Sequence, residues 1–132
     1  MKPASAKAKG RALQNWVAER ISRLIQAPWG ADQPIEPRRM GQNGVDIRLD
    51  VAVRKSFPWS VECKNTERWE VASAIKQVKE QQYSNTDWVV FFRKNRHEEI
   101  AVLNAEVFFE ILSLIPDEVK GRKPKKMIRR KT

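Results

Sequence analysis

Apolar positions along the chain change their period several times, and each change marks an element. Over residues 6 to about 26, Leu13, Trp16, Val17, Ile21, Leu24 and Ile25 recur at three and four and form one stripe, which predicts an amphipathic helix. The stretch APWGADQP stops it with proline and glycine. Residues 35–40 read as a short extended piece leading into the turn GQNG. Strict alternation follows over residues 45–53, VDIRLDVAV, and predicts a strand with Val45, Ile47, Leu49, Val51 and Val53 on one face. RKSFP interrupts it, and WSVECK, residues 59–64, resumes as a further strand, expected to be its antiparallel partner. Residues 69 to about 82 predict a helix that turns Val71, Ala74, Ile75 and Val78 inward. DWVVFFRK, residues 87–94, is a continuous apolar strand, and EEIAVLN supplies another. Asn104 is placed to cap a last helix over residues 105–115, which Pro116 ends. The order α-β-β-β-α-β-β-α predicts an α/β fold, a mixed central sheet flanked by helices.

The length of 132 residues suits one domain with a real core. The 41% apolar content argues against disorder, and no apolar run approaches the roughly 18 residues of a membrane span. The basic start MKPASAKAKGR is not followed by an apolar signal-peptide core, so a cytoplasmic protein is expected. Cys63 is the single cysteine and His97 the single histidine, which excludes an internal disulfide and leaves zinc without a ligand set; His97 reads as a surface residue.

Charge divides the chain in two. KGRKPKKMIRRKT, residues 120–132, holds eight Lys and Arg and no acid. The other 119 residues hold 18 of the 26 basic residues and all 16 acidic ones, a net of +2 out of the total of +10. The expected organisation is one domain over residues 1–119 and a flexible basic tail over 120–132. Such a tail, with Arg122, Lys123, Lys125 and Lys126, suits nucleic acid, where neutralised phosphates release counterions. A solvated or targeting tail is the plainer alternative.

Alternation on a strand also groups the charged residues. In VECK, Glu62 and Lys64 share the face opposite Val61 and Cys63, and in VDIRLD, Asp46, Arg48 and Asp50 lie opposite the apolar set. If the two strands pair, Asp46 comes close to Glu62. Adjacent carboxylates repel unless a proton or a cation lies between them. Oxygen donors without histidine or thiolate favour a hard ion, Mg²⁺ or Mn²⁺. With a lysine alongside, this is equipment for metal-assisted phosphodiester hydrolysis. Taken alone, a strand E-x-K pair is more often a solvated ion pair.

Asp46 followed by Glu62-Cys63-Lys64 resembles the motif of the PD-(D/E)xK nucleases. KGRALQNWV opening the first helix, GQNGVDI, and VECKNTERW before a helix containing Gln77 resemble the Holliday junction resolvase-like branch, of phage and archaeal type. The resemblance spans residues 9–102. It implies a restriction-endonuclease-like core and Mg²⁺-dependent cleavage of DNA, with Mn²⁺ as a substitute ion, in four-way junctions during recombination or repair. It also implies a homodimer in a bacterial, archaeal or phage-infected cell. By the same resemblance Asp46 and Glu62 hold the metal, the Cys63 backbone carbonyl assists, and Lys64 acts on the water. A repair or restriction-type nuclease, or a non-cleaving DNA-binding module, would share the fold.

Two positions depart from the pattern. Val45 stands where the motif has proline, and Gln14 stands where many members carry a first-helix glutamate. At about 100° per residue, Gln14 lies roughly 65° from the stripe centre and Glu19 roughly 205° away. Gln14 should border the sheet and Glu19, the alternative ligand, should look outward. Lys9, Arg11, Arg38, Arg39, Gln42 and Asn43 are expected to meet DNA, since phosphate contacts come from basic and amide groups; turn chemistry is the other reading of the last four. By the same resemblance Gln77, on the edge of the second helix, is expected to orient Lys64 or to meet DNA; a polar helix flank is the other reading. The last helix carries more apolar surface than one sheet can cover, which also points to a second subunit; a helix sandwiched inside the monomer is the other reading.

Overall fold

Helix α1, Pro3–Ile25, begins well before its apolar stripe and carries it across the sheet. The computed structural model describes residues 3–39 and 42–122. Strands β1 (Ile35–Pro37) and β2 (Ile47–Leu49) form an antiparallel hairpin, with Ile35 opposite Leu49 and Pro37 opposite Ile47. A short helix α2, Val51–Ser56, follows at once. Strand β3 (Trp59–Asn65), helix α3 (Val71–Glu80) and strand β4 (Asp87–Arg93) form a parallel β-α-β unit, with Glu62 opposite Val90. Strand β5 (Ile100–Leu103) adds antiparallel to β4, so the main sheet is mixed, in the order β3-β4-β5. Helix α4 (Ala105–Ser113) and a 3₁₀ turn at Asp117–Val119 complete the described chain. The architecture is α/β, as the alternation of periods predicts.

The core lies on both faces of the main sheet. Leu13, Val17, Ala18 and Ile21 of α1 pack on Ile35, Ile47, Leu49, Val61 and Val89. On the other face Ala74 and Val78 of α3 pack on Val90 and Phe92. Side chains alternate along a strand, so the apolar run of β4 serves both layers, as expected of a central strand covered twice. Trp59 and Trp69 sit at the margins of these two clusters.

Four expectations are corrected. The alternation over residues 45–53 does not continue as one strand: β2 stops at Leu49, Asp50 takes an extended conformation as N-cap, and Val51 and Val53 are helical. Val51 is exposed and Val53 buried, which a strand with both on one face could not give. The cause is tertiary: Val53 and Phe57 turn into the core beneath α1, and Arg54 donates to the Leu49 carbonyl while stacking on Tyr83. Second, β3 takes β4 as its ladder partner, in parallel; the hairpin reaches β3 through the Asp46 N–H, which donates to the Val61 carbonyl at 3.0 Å. Third, Leu24 is 72% exposed although it belongs to the stripe, because it lines an open apolar hollow with Trp16, Phe57 and Phe91. Val71, expected inward, is exposed at the first position of α3. Fourth, α4 ends at Ser113 and buries none of its residues.

Asn104 does cap α4, its side-chain oxygen accepting from the Val107 N–H at 3.2 Å. His97 is exposed, edge-on to Trp69. Among the described residues no helix is long and apolar enough to cross a membrane.

Candidate active site

Asp46 reaches β3 because the chain before it is held in a tight turn. Gly44 has φ +113°, a conformation glycine adopts without steric cost. The Arg38 side chain folds over it and donates from Nε to the Val45 carbonyl at 2.6 Å, and a Cβ on Gly44 would stand 2.8 Å from Arg38 Cζ. The Arg38 N–H donates to the Asp46 carbonyl at 2.7 Å. With its own N–H on Val61, Asp46 bridges the hairpin and the main sheet. Its Oδ2 accepts from the Cys63 N–H at 2.7 Å, which fixes the carboxylate beside Glu62.

Glu62 is 1% exposed, and its Oε2 is buried with no hydrogen-bond partner. Lys64 Nζ approaches that oxygen to 3.3 Å, an ion-pair distance without hydrogen-bond geometry, and donates instead to Gln77 Oε1 at 2.7 Å. Burial first, and then the Asp46 charge, pushes the Glu62 carboxyl up to about 7, with Lys64 opposing. Burial also raises Asp46, against the lowering effect of the Cys63 amide and of Lys64. The pair therefore holds a proton near neutrality when no cation is shared between the carboxylates. Burial drives the Cys63 thiol well above its ordinary value, which keeps it protonated and unfit as a nucleophile.

These groups open into a cleft of about 450 Å³. Gln14, 5% exposed, lines it with Asp46, Glu62, Lys64 and Gln77. Glu19 lies on the outer face of α1 and pairs with Arg23. The helical-face argument therefore places both correctly. Arg39 and Gln42 also line the cleft, with the Gln42 side chain accepting from the Arg39 N–H at 3.1 Å; Asn43 is exposed nearby in the chain. Arg38 braces the turn. Lys9 is committed to Asn95 Oδ1 at 2.6 Å, while Arg11 and Arg122 are exposed. Lys123, Lys125 and Lys126 lie outside the described residues, as do Met40 and Gly41 of the expected extended stretch and turn.

Sequence reasoning missed Lys7, Asn65 and Thr66, which also line the cleft. The Asn65 amide donates to the Lys9 carbonyl at 2.7 Å and so ties α1 to the end of β3. The only sequence signal was the polar run directly after Lys64.

Among the described residues no group of three or more His, Cys, Asp and Glu is placed to hold a metal. Asp46 and Glu62 nevertheless suit a magnesium-like ion, which is commonly held by one or two carboxylates and otherwise by water and substrate phosphate. The buried Glu62 Oε2, which has no hydrogen-bond partner, is the specific observation behind that fit.

No protein family, curated protein or solved structure matches the chain. The reading of its chemistry rests on the site itself.

Proposed function

We propose that this protein is a Mg²⁺-dependent, structure-selective DNA endonuclease that hydrolyses phosphodiester bonds in four-way junctions, on a restriction-endonuclease-like core. One observation carries the reading: Asp46 and Glu62 are brought together at the floor of an open cleft, with the Lys64 ammonium 3.3 Å from Glu62 and steadied by Gln77. Asp46 and Glu62 would hold the cation, with the Cys63 carbonyl as a further oxygen donor. That cation would supply Lewis-acid stabilisation of the charge that develops as water adds to phosphorus and the P–O bond to the leaving oxygen breaks. Lys64 places a second positive charge at the same point and can orient the water. Gln77 fixes the lysine's direction, and Gln14 offers an uncharged hydrogen-bonding group at the cleft wall. Arg39, Gln42 and Lys7 supply basic and amide groups at the rim for phosphate.

A non-cleaving DNA-binding module is the second reading. The two-carboxylate donor set, with Gln14 in place of an acid, favours it. A nicking assay with and without Mg²⁺ separates the two, and comparing a four-way junction with linear duplex separates a resolvase from a repair or restriction-type nuclease. Asp46→Asn, Glu62→Gln and Lys64→Ala should each abolish cleavage and leave junction binding within a few-fold. Gln14→Ala should lower the single-turnover rate more than Glu19→Ala. Full cleavage by Glu62→Gln would remove the metal assignment.

We also propose a homodimer, since two strands of a junction must be cut and one site serves one strand at a time. The bare α4 supports it: Phe108, Phe109, Ile111 and Leu112 are all exposed, as is Leu114 just beyond its end.

A further inference from the structure

The carboxylate cleft does not end at its own rim. Lys64 and Thr66 form a wall that it shares with a second groove, of about 240 Å³, whose far side carries Arg68, Glu70 and Ser73. Arg39 and Gln42 are shared with another groove, which also holds Arg38, Arg48, Asp32 and Glu36. The carboxylate cleft therefore shares lining residues with a groove on each of two sides, and the three are treated as one furrow.

The cations in this furrow differ in how they are committed. Arg48 is paired with Glu36 and Asp50, and Arg38 is bonded to the Val45 carbonyl. Arg39 and Arg68 form no ion pair among the described residues, and both are exposed. The acids near Arg68 do not neutralise it: Glu67 accepts from the Asn95 N–H at 2.9 Å, and Glu70 makes no salt bridge among the described residues. The hydroxyls of the second groove are committed as donors, Thr66 to the Arg68 carbonyl at 2.7 Å and Ser73 to the Glu70 carbonyl at 3.1 Å. Among the described residues that line this second groove, the Arg68 guanidinium is thus the charged donor without an ion pair, since Lys64 is held by Glu62 and Gln77.

From this arrangement we infer that one DNA strand runs along the furrow from Arg39, over Asp46 and Glu62, to Arg68, and that Arg68 binds a backbone phosphate adjacent to the one hydrolysed. The inference rests on the proposed function for its ligand and adds a phosphate subsite and a strand path. A guanidinium suits a phosphodiester because its planar donors match two phosphate oxygens. The contact lies one step from the reacting phosphate, so it binds and aligns the strand without touching the atoms that react.

The test uses the Asp46→Asn protein, which should bind without cutting, and a four-way junction. Arg68→Gln should weaken binding about three- to tenfold and reduce the slope of log K against log salt by about one, whereas Lys55→Gln, on α2 away from the furrow, should change neither. A set of junctions, each carrying one neutral methylphosphonate near the branch, should contain a linkage whose neutralisation weakens Arg68 protein but not Arg68→Gln protein. Equal sensitivity of the two proteins at every linkage, or an unchanged salt slope, would overturn the subsite while leaving the nuclease reading intact. Binding with the Arg68-dependent linkage present, but no cleavage by the wild type, would overturn the nuclease reading and leave the subsite standing. No binding of DNA by the wild type would overturn both.

Discussion

Glu62 is buried to 1% exposure between Asp46 and Lys64, and its Oε2 accepts no hydrogen bond. Its proton affinity follows from that position, and so does a pH dependence of folding. In the folded, metal-free protein the carboxyl holds its proton up to about 7, against an ordinary value of 4.5. In that interval the folded state binds more protons than the unfolded state, so stability falls as pH rises and levels off above the folded value. Asp46, also raised, acts in the same direction. The loss should be on the order of 3 kcal/mol. Melting temperatures in EDTA between pH 5 and 8 should therefore decline, and the decline should flatten in Glu62→Gln. Saturating Mg²⁺ should raise the melting temperature at pH 8 in the wild type and not in Glu62→Gln. A wild-type melting temperature that rises with pH would show that Glu62 is not the strained group.

At the scale of elements, the turn that delivers Asp46 depends on backbone more than on side chains. Gly44 sits at φ +113° under the Arg38 side chain, two residues before Asp46. Gly44→Ala must strain the backbone there and displace the Arg38 bond to Val45, at a cost of about 1–3 kcal/mol. The expected result is a lower denaturation midpoint together with weakened Mg²⁺ binding, because Asp46 shifts with the turn. Unchanged stability would mean that the turn relaxes without strain. The turn was legible as GQNG in the sequence; the role of Arg38 as its brace, rather than as a free phosphate ligand, was not. The helix α2 was equally hidden: VAVRKS reads as alternation, and only the packing of Val53 and Phe57 beneath α1 decides for a helix.

For the whole molecule, α4 leaves the largest open account. A helix with four exposed large apolar residues, followed by an exposed Leu114, gains little from folding unless its face is covered. A symmetric dimer would cover it with an identical surface. Sedimentation at micromolar concentration should give twice the 15.4 kDa chain mass, and Phe108→Glu with Phe109→Glu should give a folded monomer. A wild-type monomer both free and on a junction would defeat the dimer. The overall charge tells little about this surface, because most of the +10 resides in residues 120–132.

The sequence by itself determined the α/β class, the four long helices and strands that flank the site, the sharing of one strand face by Glu62 and Lys64, and the orientation of Gln14 against Glu19. These follow from side-chain period, which is local and depends only on backbone geometry. Tertiary structure alone decided that β3 pairs in parallel with β4, that Asp46 meets β3 through one backbone bond and the Cys63 amide, and that Val51–Ser56 is helical. It also decided which cations are free, since an arginine's partner is set by what folds beside it: Glu36 and Asp50 neutralise Arg48, and among the described residues nothing pairs with Arg68. Strand partners and ion pairs join residues distant in sequence, and no local pattern carries that information.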